Sequence, residues 1–291
     1  MPKKTILVAG GDLRYVYTAR KLLEDYDVCA VGFTRQFLPD AAIRLAESAA
    51  DGLPACDALV LPMPVSDDGV LVNAPFSRQA LSLSSFLPRL KPDALVFGGK
   101  FGKARELFED AGFPVIDYLA SEELAACNAI PTAEGAVQIL LEEMPRTLCG
   151  SRILVLGFGR IGTRLAYILS ALGAKVTVAA RQSADRSRAY QLGCEAMDYP
   201  QITPEDFDVL CNTVPAKVIT REILGRLSPE ALVLDLASKP GGVDLDAAKE
   251  YGSRVVWALS LPGKTAPVTA GEIIAGTIGH LMEERERGAA R

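Results

Sequence analysis

The chain has 291 residues and a formal net charge of −5, long enough for two separate cores and lacking the basic runs that nucleic-acid binding needs. Small and aliphatic residues are abundant and aromatics few, as in an ordinary globular protein. No apolar run reaches the roughly 18 to 20 residues that cross a bilayer, so neither a membrane nor a signal peptide is expected, and a cytoplasmic location is.

Residues 5–9, Thr-Ile-Leu-Val-Ala, read as a first buried strand, followed by Gly10-Gly11-Asp12 and a helix over 15–25. Further strands are expected at 28–33, 58–62, 94–98 and 115–118, with a helix over 103–111 stopped by Gly112. The stretch 62–77, rich in Pro, Asp and Gly, reads as a loop. At Asn128-Ala129-Ile130-Pro131-Thr132 the pattern changes. Proline fits a first helical turn, so a helix is expected from there to about Glu143, where Met144-Pro145 stops it.

Ser151-Arg152 opens a second series. Strands are expected at 153–156, 175–180, 209–212, 232–236 and 255–259. Helices are expected at 161–172, 184–192 with Ser183 as N-cap, 221–227 and 246–251. A last helix, from 270 to about 287, lies past the final strand and is expected to return to the first domain. The fold class is therefore α/β, with two Rossmann-like or flavodoxin-like doubly wound parallel-sheet domains and a cleft between them. The expected domains are 1–127 plus the C-terminal helix 266–291, binding substrate, and 128–265, binding cofactor. Hinges are expected near 128–132 and 261–265.

Gly157-Phe158-Gly159-Arg160-Ile161-Gly162 follows an apolar strand and opens a helix. In that setting Gly157 permits the tight turn and Gly159 lets the backbone approach a pyrophosphate. Gly162 lets helix and strand pack closely, while the helix start supplies amides and positive potential. About 20 residues on, NAD enzymes usually carry an acid for the ribose hydroxyl. Here the chain reads Arg181-Gln182-Ser183. Guanidinium and hydroxyl suit a 2′-phosphate, which makes NADP the expected cofactor, and Arg186 and Arg188 add positive potential. The alternative is that Arg181 is a plain surface residue. Loops at strand carboxyl ends supply the remaining cofactor candidates, Thr213, Val214 and Pro215, then Ala237 and Ser238.

Six cysteines, Cys29, Cys56, Cys127, Cys149, Cys194 and Cys211, are scattered without a C-x-x-C pair, and His280 is the only histidine. Reduced thiols used as small apolar residues are expected, and no metal site. His280, on the terminal helix, reads as a surface or structural residue.

The proline-containing loop after one strand, and the glycine-rich turn ending in Val243-Asp244 after the next, resemble the D-2-hydroxyacid dehydrogenase superfamily. The chain departs from that family's catalytic pattern. Lys239 stands near where the family expects Arg, and Gly263 where it expects His. A closer resemblance is to the family of A subunits of dipicolinate synthases. It covers essentially the whole chain and rests on Gly10-Gly11-Asp12-Leu13-Arg14, on 128–135, on the glycine fingerprint and on 261–271.

That resemblance implies a two-domain NADP-binding protein of spore-forming bacteria. It would oxidise a dihydrodipicolinate-type ring, derived from 4-hydroxytetrahydrodipicolinate, to dipicolinate, beside a flavoprotein-like B subunit. Such a ring gains aromaticity as it gives up hydride and proton, so the protein must mainly position it and neutralise two carboxylates. Arg14 is the candidate bidentate clamp for one carboxylate, with Lys264 or Lys239 for the other and Asp12 to orient Arg14 or accept a proton. Asp12 as a plain helix cap and Lys264 as a solvated residue are the alternatives. Gly11, Asn128, Pro131, Thr132, Thr265 and Ala266 complete the substrate candidates. Amides of the Gly10-Gly11 turn, and of a helix start near Thr132, are expected to assist. A homo-oligomer is expected. Two other functions stay open: an NAD(P)-dependent reductase of another small carboxylate, and a non-catalytic NADP-responsive subunit.

Overall fold

The computed structural model describes residues 3–46, 48 and 52–289. In chain order its elements are β1 (Thr5–Ala9), α1 (Leu13–Leu22), β2 (Asp27–Val31), β3 (Arg44–Ala46), β4 (Cys56–Val60), β5 (Leu90–Gly98), α2 (Ala104–Asp110), β6 (Val115–Asp117) and α3 (Glu122–Glu143). There follow β7 (Arg152–Leu156), α4 (Arg160–Ala171), β8 (Lys175–Ala179), α5 (Ser183–Gln191), β9 (Glu195–Met197), β10 (Val209–Asn212) and α6 (Arg221–Arg226). The chain closes with β11 (Leu232–Asp235), α7 (Leu245–Tyr251), β12 (Arg254–Trp257), α8 (Leu261–Thr265) and α9 (Pro267–Ala289). Two compact units result: the chain up to Cys127 together with the segment from Ala266 on, and Asn128–Thr265.

Each unit is built on a six-stranded parallel sheet, ordered β3-β2-β1-β4-β5-β6 in the first and β12-β11-β10-β7-β8-β9 in the second. The two orders are the same doubly wound arrangement, with the direction reversing between β1 and β4 and between β7 and β10. The central strands are continuous apolar runs because both faces are covered. Ile6, Leu7, Val8 and Ala9 have no exposed surface, nor have Ile153, Leu154, Val155 and Leu156.

In the first unit one face of the sheet is covered by α1 and α9, which bury Tyr15, Val16 and Ala19 against Ile274, Ala275 and Ile278. The two helices touch backbone to backbone. A Cβ on Gly271 would stand 2.4 Å from the Arg14 carbonyl, and the Thr18 hydroxyl donates to the Gly271 carbonyl at 3.0 Å. The other face is covered around Phe86, Phe101 and Phe108.

The structure departs from the sequence reading at several places. The helix expected to start near Thr132 starts at Glu122, and Pro131 lies inside it. Pro131 is buried and offers no amide, and the Thr132 hydroxyl donates back to the Asn128 carbonyl at 2.6 Å. No helix N-terminus stands at Thr132 to hold an anion. The expected hinge at 128–132 is thus helix interior, and the loop expected around Lys264 is the short helix α8. Ser183 is the first residue of α5 rather than its cap; Gln182 holds the cap position without a side-chain bond. The edge strands β3 and β9, three residues each, went unread. By length and mean hydropathy (1.3) α3 would suit a membrane, yet its apolar side chains enter the protein cores: Leu124 in the first unit, Ala133, Ala136 and Leu140 in the second.

Candidate functional site

At the carboxyl edge of the second sheet β7 ends in Leu156 and the chain turns through Gly157, whose φ is +92°. A Cβ there would come within 2.6 Å of Thr213 Oγ1 and 2.7 Å of Val214 Cγ2, so the turn fits only because this residue has no side chain. Gly162 packs α4 onto that turn, since a Cβ on it would stand 2.2 Å from the Gly157 carbonyl oxygen. Gly159 differs from both. Nothing lies within 4 Å of where its Cβ would be, and it occupies the N-cap of α4 with no side chain to cover the first amides. Two glycines are consumed by internal packing and the third opens onto space beside a helix start, the shape that accepts a pyrophosphate.

That space is a cavity of about 330 Å³. Its walls are the turn from Gly157 through Phe158, Gly159 and Arg160 to Ile161, the end of β8 (Ala180, Arg181, Gln182), Asp185, Tyr199, and Thr213, Val214 and Pro215 after β10. Gly162, Ser183, Ala237 and Ser238 are not on these walls.

Three arginines follow β8 and they are not equivalent. Arg186 Nη1 donates to the Ala180 and Arg181 carbonyls at 2.7 and 2.8 Å and lies 3.7 Å from Asp198, so it shapes the loop. Arg188 pairs with Asp185 and stands 5.7 Å over the Phe158 ring. Arg181 is exposed on the cavity wall, and among the described residues no carboxylate pairs with it. Tyr199 lines the same cavity; burial raises its hydroxyl above its usual pKa, and the Arg181 charge opposes that rise.

A buried polar pair holds the loops after β10 and β11 together. Asn212 has no exposed surface and Asp235 has 2%. Asn212 Nδ2 donates to Asp235 Oδ1 at 2.8 Å and to the Val214 carbonyl at 3.0 Å, while its Oδ1 accepts from the Val214 amide. Asp235 also accepts from the amides of Ala237 and Gly242, at 3.1 and 2.8 Å. Gly242 has no room for a side chain, because a Cβ would come within 2.1 Å of Asn212 Nδ2. Asp185, Tyr199 and Asp235 escaped the sequence reading. Only Asp235 left a usable trace, as an acid ending an apolar strand.

In the first unit, Asp12 caps α1 by accepting from the Arg14 amide at 3.1 Å and also accepts from Arg14 Nε and Nη2 at 2.9 and 2.8 Å. Cap and orienting partner are therefore one and the same residue. Arg14 is 7% exposed. Burial lowers the pKa of its guanidinium, but the bond to Asp12 and nearby charges raise it more, so the net shift is upward. One edge of the expected clamp is thus occupied by Asp12, as an orienting partner would occupy it, and the neighbour of Nη1 is the Met63 sulfur at 4.0 Å. Below it Tyr15 and Tyr118, both fully buried, share a hydroxyl bond that continues to the Leu61 carbonyl.

The expectation for the Gly10-Gly11 turn is also corrected. Its amides donate to the Val31 and Asn73 carbonyls, both at 2.9 Å, so they are not left for a carboxylate. Its missing side chains make room for Val72 and the Tyr15 ring.

Lys239 and Lys264 are exposed, and neither is paired with a carboxylate among the described residues. Asn128 is half-buried, and its Oδ1 has no hydrogen-bond partner there. Thr265 packs over Gly135, which has no room for a Cβ, and Ala266 is half-buried. His280 is exposed and bonds Glu123 at 3.0 Å. Cys29, Cys56, Cys194 and Cys211 are buried free thiols, and burial pushes Cys211 up to about 12. No group of three or more His, Cys, Asp or Glu able to hold a metal occurs among the described residues.

Residues 5–119 match the family model for the N-terminal domain of the dipicolinate synthase A subunit. Residues 132–233 match that of the D-isomer specific 2-hydroxyacid dehydrogenase NAD binding domain, so the second unit carries a dehydrogenase nucleotide-binding domain. The chain is 32% identical over 286 residues to the dipicolinate synthase A subunit of Bacillus subtilis (strain 168), covering 96% of each chain. Among solved structures it is similar to the dipicolinate synthase A subunit from Bacillus halodurans, with a TM-score of 0.89 at 30% identity over 96% of this chain and 98% of that one. It is equally similar to the corresponding chain of dipicolinate synthase from Bacillus subtilis, with a TM-score of 0.88 at 30% identity over 99% and 98%.

Proposed function

The chain belongs to the family of dipicolinate synthase A subunits, and from that premise we propose that it oxidises a dihydrodipicolinate-type ring to pyridine-2,6-dicarboxylate with NADP. The observation that carries this reading is the cavity at the carboxyl edge of β7 and β10, with an open glycine at a helix start and an uncommitted arginine on its wall.

Bound NADP supplies the hydride acceptor at its nicotinamide ring. The chain's own residues do the rest. Gly159 and the start of α4 receive the pyrophosphate, Arg181 meets the 2′-phosphate, and Tyr199 packs beside it. Asn212 and Asp235 hold the loops that carry Thr213, Val214, Pro215, Ala237 and Ser238. The proposed cations for the ring's carboxylates are Lys239 and Lys264, both exposed and unpaired with a carboxylate among the described residues; Nη1 of Arg14 is a separate candidate. The ring loses a hydride to the nicotinamide and a proton to water; aromatisation drives both losses, so the chain's main tasks are positioning and charge neutralisation. The relatives are by name one subunit of a synthase, which supports a partner chain; a flavoprotein-like B subunit is the partner proposed.

The test is incubation with NADP or NAD and freshly made hydroxytetrahydrodipicolinate, with and without the B subunit, following nicotinamide absorbance. NADP reduction is the expected result; no reduction in any arm would overturn the reading. Arg181→Ala is expected to weaken NADP about ten- to hundredfold in calorimetric titration, the loss of one charge-assisted phosphate contact, and to leave NAD nearly unchanged.

A further inference from the structure

We propose that Arg188, which does not itself line the cavity, shifts the cofactor ratio toward NADP by neutralising Asp185, the one carboxylate on the described cavity wall. The inference rests on the cofactor reading above and names a residue that acts through another.

Asp185 stands in the first turn of α5, on the same wall as Arg181 and Gln182. By the general rule for this fold, that wall receives the adenosine ribose. A free carboxylate there accepts from a ribose hydroxyl and repels a 2′-phosphate, so Asp185 alone would oppose the charge that Arg181 attracts. Arg188 Nη2 lies 2.5 Å from Asp185 Oδ1, one helical turn on. Its guanidinium is also placed, 5.7 Å over the ring of Phe158, which is itself 4% exposed between two glycines of the phosphate turn. Two contacts, to Asp185 and to the Phe158 ring, therefore hold Arg188 against the carboxylate. Arg186 cannot take over this role, because it is bound to the Ala180 and Arg181 carbonyls and faces Asp198.

The side chains of Arg188 and Asp185 are 62% and 26% exposed, so water and salt screen the effect. Its expected size is about three- to fivefold in affinity, falling as ionic strength rises.

The test is separate titration of NADP and NAD into the full chain for the unchanged protein, Arg188→Ala, Asp185→Asn and the double variant, at low and high salt. Arg188→Ala is expected to weaken NADP about three- to fivefold at low salt with NAD unchanged or tighter. Asp185→Asn is expected to leave the NADP-to-NAD ratio at or above its starting value, and the double variant to return to that range. Equal losses of both cofactors in Arg188→Ala would overturn the proposal, reducing Arg188 to a prop for Phe158. So would a double variant as weak for NADP as Arg188→Ala, since Arg188 would then touch the phosphate itself. The starting ratio is read independently: an unchanged protein that prefers NAD sinks the NADP reading, whereas the proposal stands or falls on the change made by removing Arg188.

Discussion

Arg14 shows how much a side chain's neighbours alter what it can do. From the sequence it is a guanidinium after two glycines at a sheet edge, a candidate carboxylate clamp with Asp12 beside it as orienting partner or helix cap. In the fold it is nearly buried and its Nε/Nη2 edge is matched to Asp12. Asp12 in turn caps α1. Lysine at this position keeps the charge but presents a single point donor, so it cannot reproduce the two-bond pairing. Arg14→Lys is therefore expected to cost the first unit about 1.5 to 3 kcal/mol, the range for hydrogen bonds to charged groups, and to slow ring oxidation while NADP affinity stays the same. Thermal melting, titration and turnover on one preparation check this. An unchanged melting temperature would mean that the Asp12 pair contributes no more than a surface ion pair.

Elements with a strong period were legible in the sequence, and elements defined by their neighbours were not. β1, β7 and β10 are apolar runs buried on both faces, and the strand, glycine turn and helix around Gly157 follow from local sequence alone. β3 and β9 have three residues each and exist because a longer strand lies beside them. Pro131 suggested a helix start, but the packing of Ala129 and Ala133 on either side carries α3 straight through it. The cavity wall at the β7 edge was legible at Gly157, Gly159 and Arg181. Asp185 and Tyr199 were not, because their roles depend on how α5 and β9 return to the β8 edge.

Asp235 is a further case, with three donors converging on one buried carboxylate from the end of β10 and the loop after β11. Asp235→Asn keeps the volume but turns one acceptor into a donor facing other donors. It is expected to destabilise the second unit by about 1 to 3 kcal/mol and to weaken NADP, because the Thr213–Pro215 wall is anchored through Asn212. Urea denaturation and titration read the two effects; neither changing would show the loops to be held by their backbone alone.

At the scale of the whole chain, the second unit is one continuous segment, whereas the first is assembled from two segments separated by it. The helix that completes the first unit, α9, follows the second unit in the chain, and it supplies Ile274, Ala275, Ile278 and Met282 to the core beside α1. Ile278 has no exposed surface. Removing its side chain leaves a cavity where α9 meets the first unit's core, with no part of the nucleotide cavity on that helix. Ile278→Ala is expected to cost about 2 to 5 kcal/mol, the range for a buried large-to-small change. The loss should fall on the first unit alone. Hydrogen exchange should then speed up in β1, α1 and β4 while β7, α4 and β8 keep their protection, and NADP should bind as before. Loss of protection spread evenly over both sheets would show instead that the two units unfold as one cooperative body, and that α9 stabilises the dehydrogenase unit as much as its own.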